Sequence, residues 1–204
     1  MKKVIFSMMI LACLIIFSSC SEKEAKNIST EIEFADGSGN GVLAENSVVD
    51  FYFYYPENFS IKRDDSMIVV AVNDEEILQS DVQQPDSQEF IPIMTKPNLS
   101  AQVFNLTDDK YETIEQCWEN FVLPSYQSIY QDIEIVSEDD LTVAEFTAKK
   151  YTYTCSLSDM KFKVSQIIFF KKQQVYFLTY TATESKYQTY INVLNTAAET
   201  FKFK

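Results

Sequence analysis

Apolar and polar positions alternate along much of this chain, and two stretches carry helical spacing instead. In "SVVDFYFYYP" (47–56), Val49, Phe51, Phe53 and Tyr55 share one parity, and Tyr52 and Tyr54 share the other. A period of two predicts a strand, and apolar residues at both parities predict a sheet covered on both faces at that point. "PENF" (56–59) reads as the turn that ends it. "SMIVVAVN" (66–73) and "NLSAQVFNL" (98–106) predict two further strands, and Ile32 and Phe34 mark a marginal one at 30–35. The intervening "EEILQSDVQQPDSQ" (75–88) reads as a loop with at most one helical turn.

Tyr111, Ile114, Trp118, Phe121 and Val122 fall on one helical face, with Thr107-Asp108-Asp109 as the expected cap. Pro124 is expected to break or kink this helix, with a further turn ending near Tyr130. From Asp132 to Thr183 the chain predicts a run of antiparallel strands, with breaks at 138–140, 157–160 and 171–174. Tyr187, Tyr190, Ile191, Leu194, Ala197, Ala198 and Phe201 trace a second amphipathic helix, capped by Thr183 or Ser185. The closing "FKFK" is expected as a short edge strand. Neither internal repeats nor a second domain break interrupts the pattern, so residues 30–204 are expected to form one domain.

The N-terminal pattern is of another kind. Lys2 and Lys3 precede an apolar run at 4–17, "VIFSMMILACLIIF". That is short for a membrane-spanning helix, which needs about 20 residues, and suits the core of a signal peptide. Ser18, Ser19 and Cys20 follow, and the chain then turns polar as "SEKEAKN". This junction resembles a bacterial lipobox, with Phe17 where Leu is usual. Residues 1–19 are then the signal peptide, and Cys20 is the residue that takes the lipid. Residues 20–29 would be the lipidated cysteine and a flexible tether. Cys13 in "ILAC" is a rival, but apolar "LIIF" continues after it. A plain secretory peptide or a short membrane anchor is the alternative reading.

Composition narrows the function. Aromatic residues make up 14% of the chain, which favours half-buried pleated surfaces. The net charge of −13 argues against nucleic acid and against electrostatic binding to anionic lipid, both of which need a basic patch. Histidine is absent, which removes Ser-His-Asp, Cys-His and histidine-based zinc chemistry within this chain. The only glycines are Gly37, Gly39 and Gly41. A phosphate-binding loop, a dinucleotide turn or a nucleophile elbow cannot be built downstream of them. No cofactor is expected.

Two regions resemble PsbP-like domains: "FYFYYPENFSI", and the block from "KYTYTC" through "KFKVSQIIFFKKQQVYFLTYTAT" to the final "FKF". The resemblance covers about residues 47–204. The family usually carries Trp where Phe59 stands, and Asp-Gly where Lys172-Gln173 stands. It implies an α+β fold, an α/β/α sandwich around a mostly antiparallel sheet, and a non-catalytic role. Metal binding by some photosystem members uses histidine and does not carry over.

The candidate sites remain sparse. Cys117 and Cys155 are either a disulfide or two buried thiols; a bond requires Cα atoms within about 7 Å. Tyr52, Tyr54, Tyr151, Tyr153, Tyr176 and Tyr180 either line an aromatic groove or pack beneath a helix. Asp64-Asp65, Asp74-Glu75-Glu76, Asp108-Asp109 and Glu138-Asp139-Asp140 lack the spacing of a calcium loop and read as solvated turns and caps. No catalytic or metal-ligating residue is assigned. The reading is a lipid-anchored extracytoplasmic accessory protein without catalytic activity, attached to the bacterial cell membrane and contacting a protein or small ligand there. The alternatives are an envelope hydrolase using carboxylates and a structural or adhesive surface protein.

Overall fold

The computed structural model describes residues 28–35, 39–63, 67–72, 96–106 and 111–204. Cys13, Cys20, the signal segment, the 75–88 loop and the expected cap at 107–109 lie outside them.

Two antiparallel sheets make up the frame. The smaller contains β1 (Glu31–Glu33), β2 (Asn40–Ala44), β3 (Phe51–Pro56) and β11 (Lys202–Phe203), in the order β1-β2-β3-β11. The larger contains β4 (Phe59–Arg63), β5 (Ile68–Val72), β6 (Asn98–Asn105), β7 (Gln131–Val143), β8 (Phe146–Leu157), β9 (Met160–Lys171) and β10 (Gln174–Thr183). Its order is β4-β5-β6-β10-β9-β8-β7. Neither β2 nor β4 is legible as an alternation in the sequence. β2 sits beside the glycines, and β4 follows the turn at Glu57-Asn58 directly.

The larger sheet is apolar on both faces. On one face, Ile167 and Phe169 of β9 join Tyr176, Leu178 and Tyr180 of β10 beneath the small sheet and the C-terminal helices, α3 (Glu184–Tyr190) and α4 (Asn192–Thr200). On the other, Tyr151, Tyr153 and Cys155 of β8, with Phe162, Val164 and Ile168 of β9, pack under Cys117, Trp118 and Val122. These belong to a helical segment built from α1 (Ile114–Cys117), a π-helical turn (Trp118–Val122) and α2 (Leu123–Gln127). Each buried side chain of this kind contributes roughly 1.5–3 kcal/mol relative to exposure.

The π turn corrects the helical expectation twice. Pro124 does not break the segment but lies within α2, just after the widened turn, in which the N–H of Leu123 donates to the carbonyl of Trp118. A proline lacks the N–H and crowds the carbonyl four residues back, and a turn of wider pitch accommodates both. The wider pitch also moves the buried face. Ile114, Trp118 and Val122, four residues apart, point inward, whereas Phe121 is 41% exposed.

The expected break at 138–140 is also corrected: β7 runs straight through it for 13 residues. Cross-strand charge explains this. Asp139 stands opposite Lys150 and Asp140 opposite Lys149, with Nζ–Oδ separations of 3.3 and 3.4 Å. The turn comes instead at Ala144 and Glu145, with φ of 46° and 74°. The breaks near 157–160 and 171–174 are hairpin turns as expected, and Ser158 and Lys172 take φ of 55° and 57° there. With no glycine beyond residue 41, ordinary residues occupy left-handed positions that cost about 1–2 kcal/mol each.

"FKFK" forms the edge strand expected of it. Lys202 pairs with Tyr52 and Phe203 with Phe51. Phe201 stacks on Phe51 at 4.9 Å, and Lys171 Nζ lies 3.4 Å from the Phe203 ring centroid. Asp50 ties this corner together. It accepts from Lys171 Nζ at 2.9 Å and from the Tyr176 hydroxyl at 3.0 Å.

The strained Ala144-Glu145 turn gives a direct test. Glu145→Gly relieves a left-handed residue and should stabilise the fold by about 1 kcal/mol. The measurement is the urea midpoint, which should rise without a change in slope; a lower midpoint would mean that the turn is not strained.

Candidate functional site

Among the described residues, a concave site lies where α1 meets the sheet. Thr113 has extended backbone, and its Oγ1 accepts from the N–H of Gln116 at 3.2 Å. The Gln116 side chain reaches back to the N–H of Glu112 at 2.9 Å. This is a variant of the capping box, built on Thr113-x-x-Gln116. It fixes the first turn so that Glu115 faces β8. There Lys149 Nζ meets Glu115 Oε1 at 2.8 Å and Asp140 Oδ1 at 3.4 Å. A cleft of about 350 Å³ opens beside this bridge, lined by Glu112, Glu115, Asp140, Lys149, Ile114 and Phe170 among others.

Electrostatics fix the charge states in this cleft. The hydrogen bond from Lys149 holds the Glu115 carboxyl below the usual carboxylate range, helped by a backbone N–H and by Thr113. The same hydrogen bond raises the Lys149 ammonium above the ordinary lysine value, with Asp140 adding to it. Glu115 is therefore an anion and Lys149 a cation across the neutral range. Neither is poised to exchange a proton near pH 7, where a general acid or base works best. What the arrangement does well is hold fixed charge of both signs at the rim of an apolar recess.

The residues singled out from sequence fall in three separate places: Cys117, Cys155, Tyr151 and Tyr153 in one core, Tyr176 and Tyr180 in the other, and Tyr52 and Tyr54 on the small sheet. Cys117 and Cys155 are both free and buried, so the bridge offered as one alternative is not formed. They sit in one apolar cluster, and burial pushes each thiol up to about 11. Thiols of that acidity are inert at neutral pH. The six tyrosines line no common groove. Tyr151 and Tyr153 lie under Trp118, which stacks on Tyr151 at 4.1 Å and 5°. Tyr176 and Tyr180 are buried on the opposite face of the sheet. Tyr52 and Tyr54 meet edge to face on the small sheet, and the Tyr54 hydroxyl donates to the Ser29 carbonyl. Five of the six rings are buried, Tyr54 among them, and the packing alternative describes the four that join the two cores. Of the acidic runs, Glu138-Asp139-Asp140 lies on β7, and the other three fall outside the described residues.

Polar groups inside the domain are mostly satisfied. Thr152, Ser165 and Tyr187 form a hydroxyl chain at 2.7 and 2.5 Å. Gln166 Nε2 donates to the Tyr126 hydroxyl at 2.7 Å and to Thr179 at 2.8 Å. The Thr113-x-x-Gln116 signal was present in the sequence and would have placed the cap correctly. The Lys149–Asp140 pairing was hidden, because it exists only if β7 continues through its acidic run.

No family model matches this chain, and no curated protein matches it. Solved structures do share its architecture. LpqN of Mycobacterium tuberculosis, described as involved in cell envelope biogenesis, aligns over 80% of this chain and 85% of its own, at 14% identity and a TM-score of 0.53. The Ran-binding protein Mog1p of Saccharomyces cerevisiae aligns over 85% and 94%, at 9% identity and a TM-score of 0.50. The cyanobacterial PsbP of Synechocystis aligns over 88% and 96%, at 13% identity and a TM-score of 0.49. The fold is α+β and PsbP-like.

The bridge at the cleft has a measurable consequence. Glu115 has a folded pKa below its unfolded one, so its contribution is present above the ordinary carboxylate range and lost as pH falls through the folded value. Because Glu115 is half exposed, solvent keeps that contribution small. In Lys149→Met, the Glu115 carboxyl resonance should titrate at a higher pH than in the wild type. An unmoved midpoint would show that Lys149 does not set it.

Proposed function

We propose that this PsbP-like domain is the extracytoplasmic part of a membrane-tethered lipoprotein that binds a partner and performs no chemistry. The observation that carries the binding reading is the state of the reactive groups. The cleft carboxylate and amine are locked in their charged forms, and both thiols of the domain are buried with raised pKa values. A hydrolase of the two-carboxylate kind needs one carboxyl held protonated near neutrality. The shift at Glu115 runs the other way.

The tether rests on sequence. Lys2 and Lys3, the apolar run 4–17, Ser18-Ser19 and Cys20 form the lipobox-like junction, and the chain becomes polar directly after it. Thioether-linked diacylglycerol on Cys20, with an acyl chain on the freed amine, supplies the two or more chains that stable anchoring requires. LpqN, with the same fold, is described as involved in cell envelope biogenesis, which supports a role in the envelope. Mog1p, described as Ran-binding, supports the use of this fold for holding a protein partner. The leader supports the address, and the domain supports the binding role.

Two measurements separate these parts. Cys20→Ala should abolish incorporation of an alkyne-tagged fatty acid and release the protein from the membrane fraction. Labelling that persists, and is then lost in Cys13→Ala, would move the lipid site to Cys13. A broad panel of esterase, glycosidase and peptidase substrates should show no turnover, and reproducible turnover abolished by Glu115→Gln would overturn the binding reading.

A further inference from the structure

The outer edge of the larger sheet has the features of a docking strand. β7 ends the strand order, so among the described residues only β8 pairs with it. It is 13 residues long, where edge strands are usually kept short. Bulges displace its first half, between Gln131 and Glu134 and between Ile135 and Ser137. From Ser137 to Val143 the register is unbroken, seven residues facing Thr152 back to Phe146. That segment presents a regular outer row of backbone N–H and C=O groups about 23 Å long. Of the large apolar side chains exposed among the described residues, Ile135 and Val136 lie in the first half of this strand and Ile129 two residues before it.

Charge decides what can occupy the edge. β7 contains Asp132, Glu134, Glu138, Asp139 and Asp140, and no basic residue. Lys149 and Lys150 answer Asp140 and Asp139, whereas among the described residues Glu134 and Glu138 have no ion pair. A second copy of the chain pairing β7 against β7 would set acid against acid, which is destabilising in directly opposed strand positions. Charged side chains on an edge strand are a usual guard against such self-association. The same charge favours an extended segment of opposite sign.

We propose that β7 is a docking edge for an extended, basic segment of another protein, which adds to the larger sheet alongside Ser137–Val143. Backbone hydrogen bonds supply the attraction, and the segment's lysines or arginines meet Glu134 and Glu138. Its apolar residues cover Ile135 and Val136. This is the β-augmentation mode of recognition, in which main-chain bonds give affinity and alternate side chains give specificity. The inference rests on the binding reading above and names the partner's chemistry.

The test uses the full lipidated chain in detergent micelles, with a fluorescein-labelled dodecapeptide alternating Lys with Thr and Val as the probe, and its Glu-for-Lys counterpart. Amide hydrogen exchange should show new protection in 137–143 with the Lys peptide and none with the Glu peptide. The double variant Glu134→Lys/Glu138→Lys, shown by circular dichroism to be folded, should weaken binding by roughly tenfold or more, since attraction becomes repulsion at two sites. Protection confined to other strands, equal binding of both peptides, or unchanged affinity in the double variant would overturn the proposal. So would a dimer by sedimentation whose β7 amides are already protected, because the edge would then belong to a second copy. Substrate turnover would defeat the binding reading and leave the β7 protection data as they stand, so the two failures are distinct.

Discussion

Burial of both faces of β8, β9 and β10 is the constraint on which the rest of this structure depends. An antiparallel sheet can leave one face to water, but these strands carry apolar residues at both parities and need cover on each side. One face receives the small sheet, α3 and α4, and the other receives the helical segment with its π turn. Remove either cover and a row of tyrosines and phenylalanines meets solvent. The C-terminal strand belongs to this requirement, since Phe201 and Phe203 complete the aromatic corner around Phe51, Phe169 and Tyr176.

That demand leaves little of the interior available for chemistry. Thiols and phenols that might react are spent on packing, and burial raises the pKa of Cys117, Cys155, Tyr151 and Tyr153 alike. The charged groups that remain near a recess are engaged in ion pairs, as Lys149 is with Glu115 and Asp140. What is left for interaction is the surface, and the acidic edge strand is its most distinctive part. A binding role suits a molecule with an inert interior and a charged margin.

The lack of glycine shapes the hairpins. Three two-residue turns join β7 to β10, and each places an ordinary residue in the left-handed region. Strand pairing on both sides holds these turns in place, so tertiary structure overrides local preference there. The missing Asp-Gly at Lys172-Gln173 therefore leaves the hairpin intact and shifts the cost into Lys172, at φ 57°.

Much was legible from sequence alone because periodicity reports burial directly. β3, β5, β6, β9 and β10, the C-terminal helical stretch (two helices in the structure) and the edge strand at "FKFK" all follow from alternation or helical spacing, whereas the α+β class is what the resemblance to PsbP-like domains implies. The absence of histidine and of glycine beyond residue 41 removes whole enzyme classes from sequence alone. Tertiary structure decided what depends on partners distant in sequence. An acidic run at 138–140 looks like a turn until Lys149 and Lys150 stand across from it. The exposure of Phe121 depends on a π turn that local spacing does not reveal. Whether two cysteines bond, or six tyrosines form one groove, depends on which face of which sheet each one meets. A period of two assigns a residue to a face, and only the pairing of strands decides what that face touches.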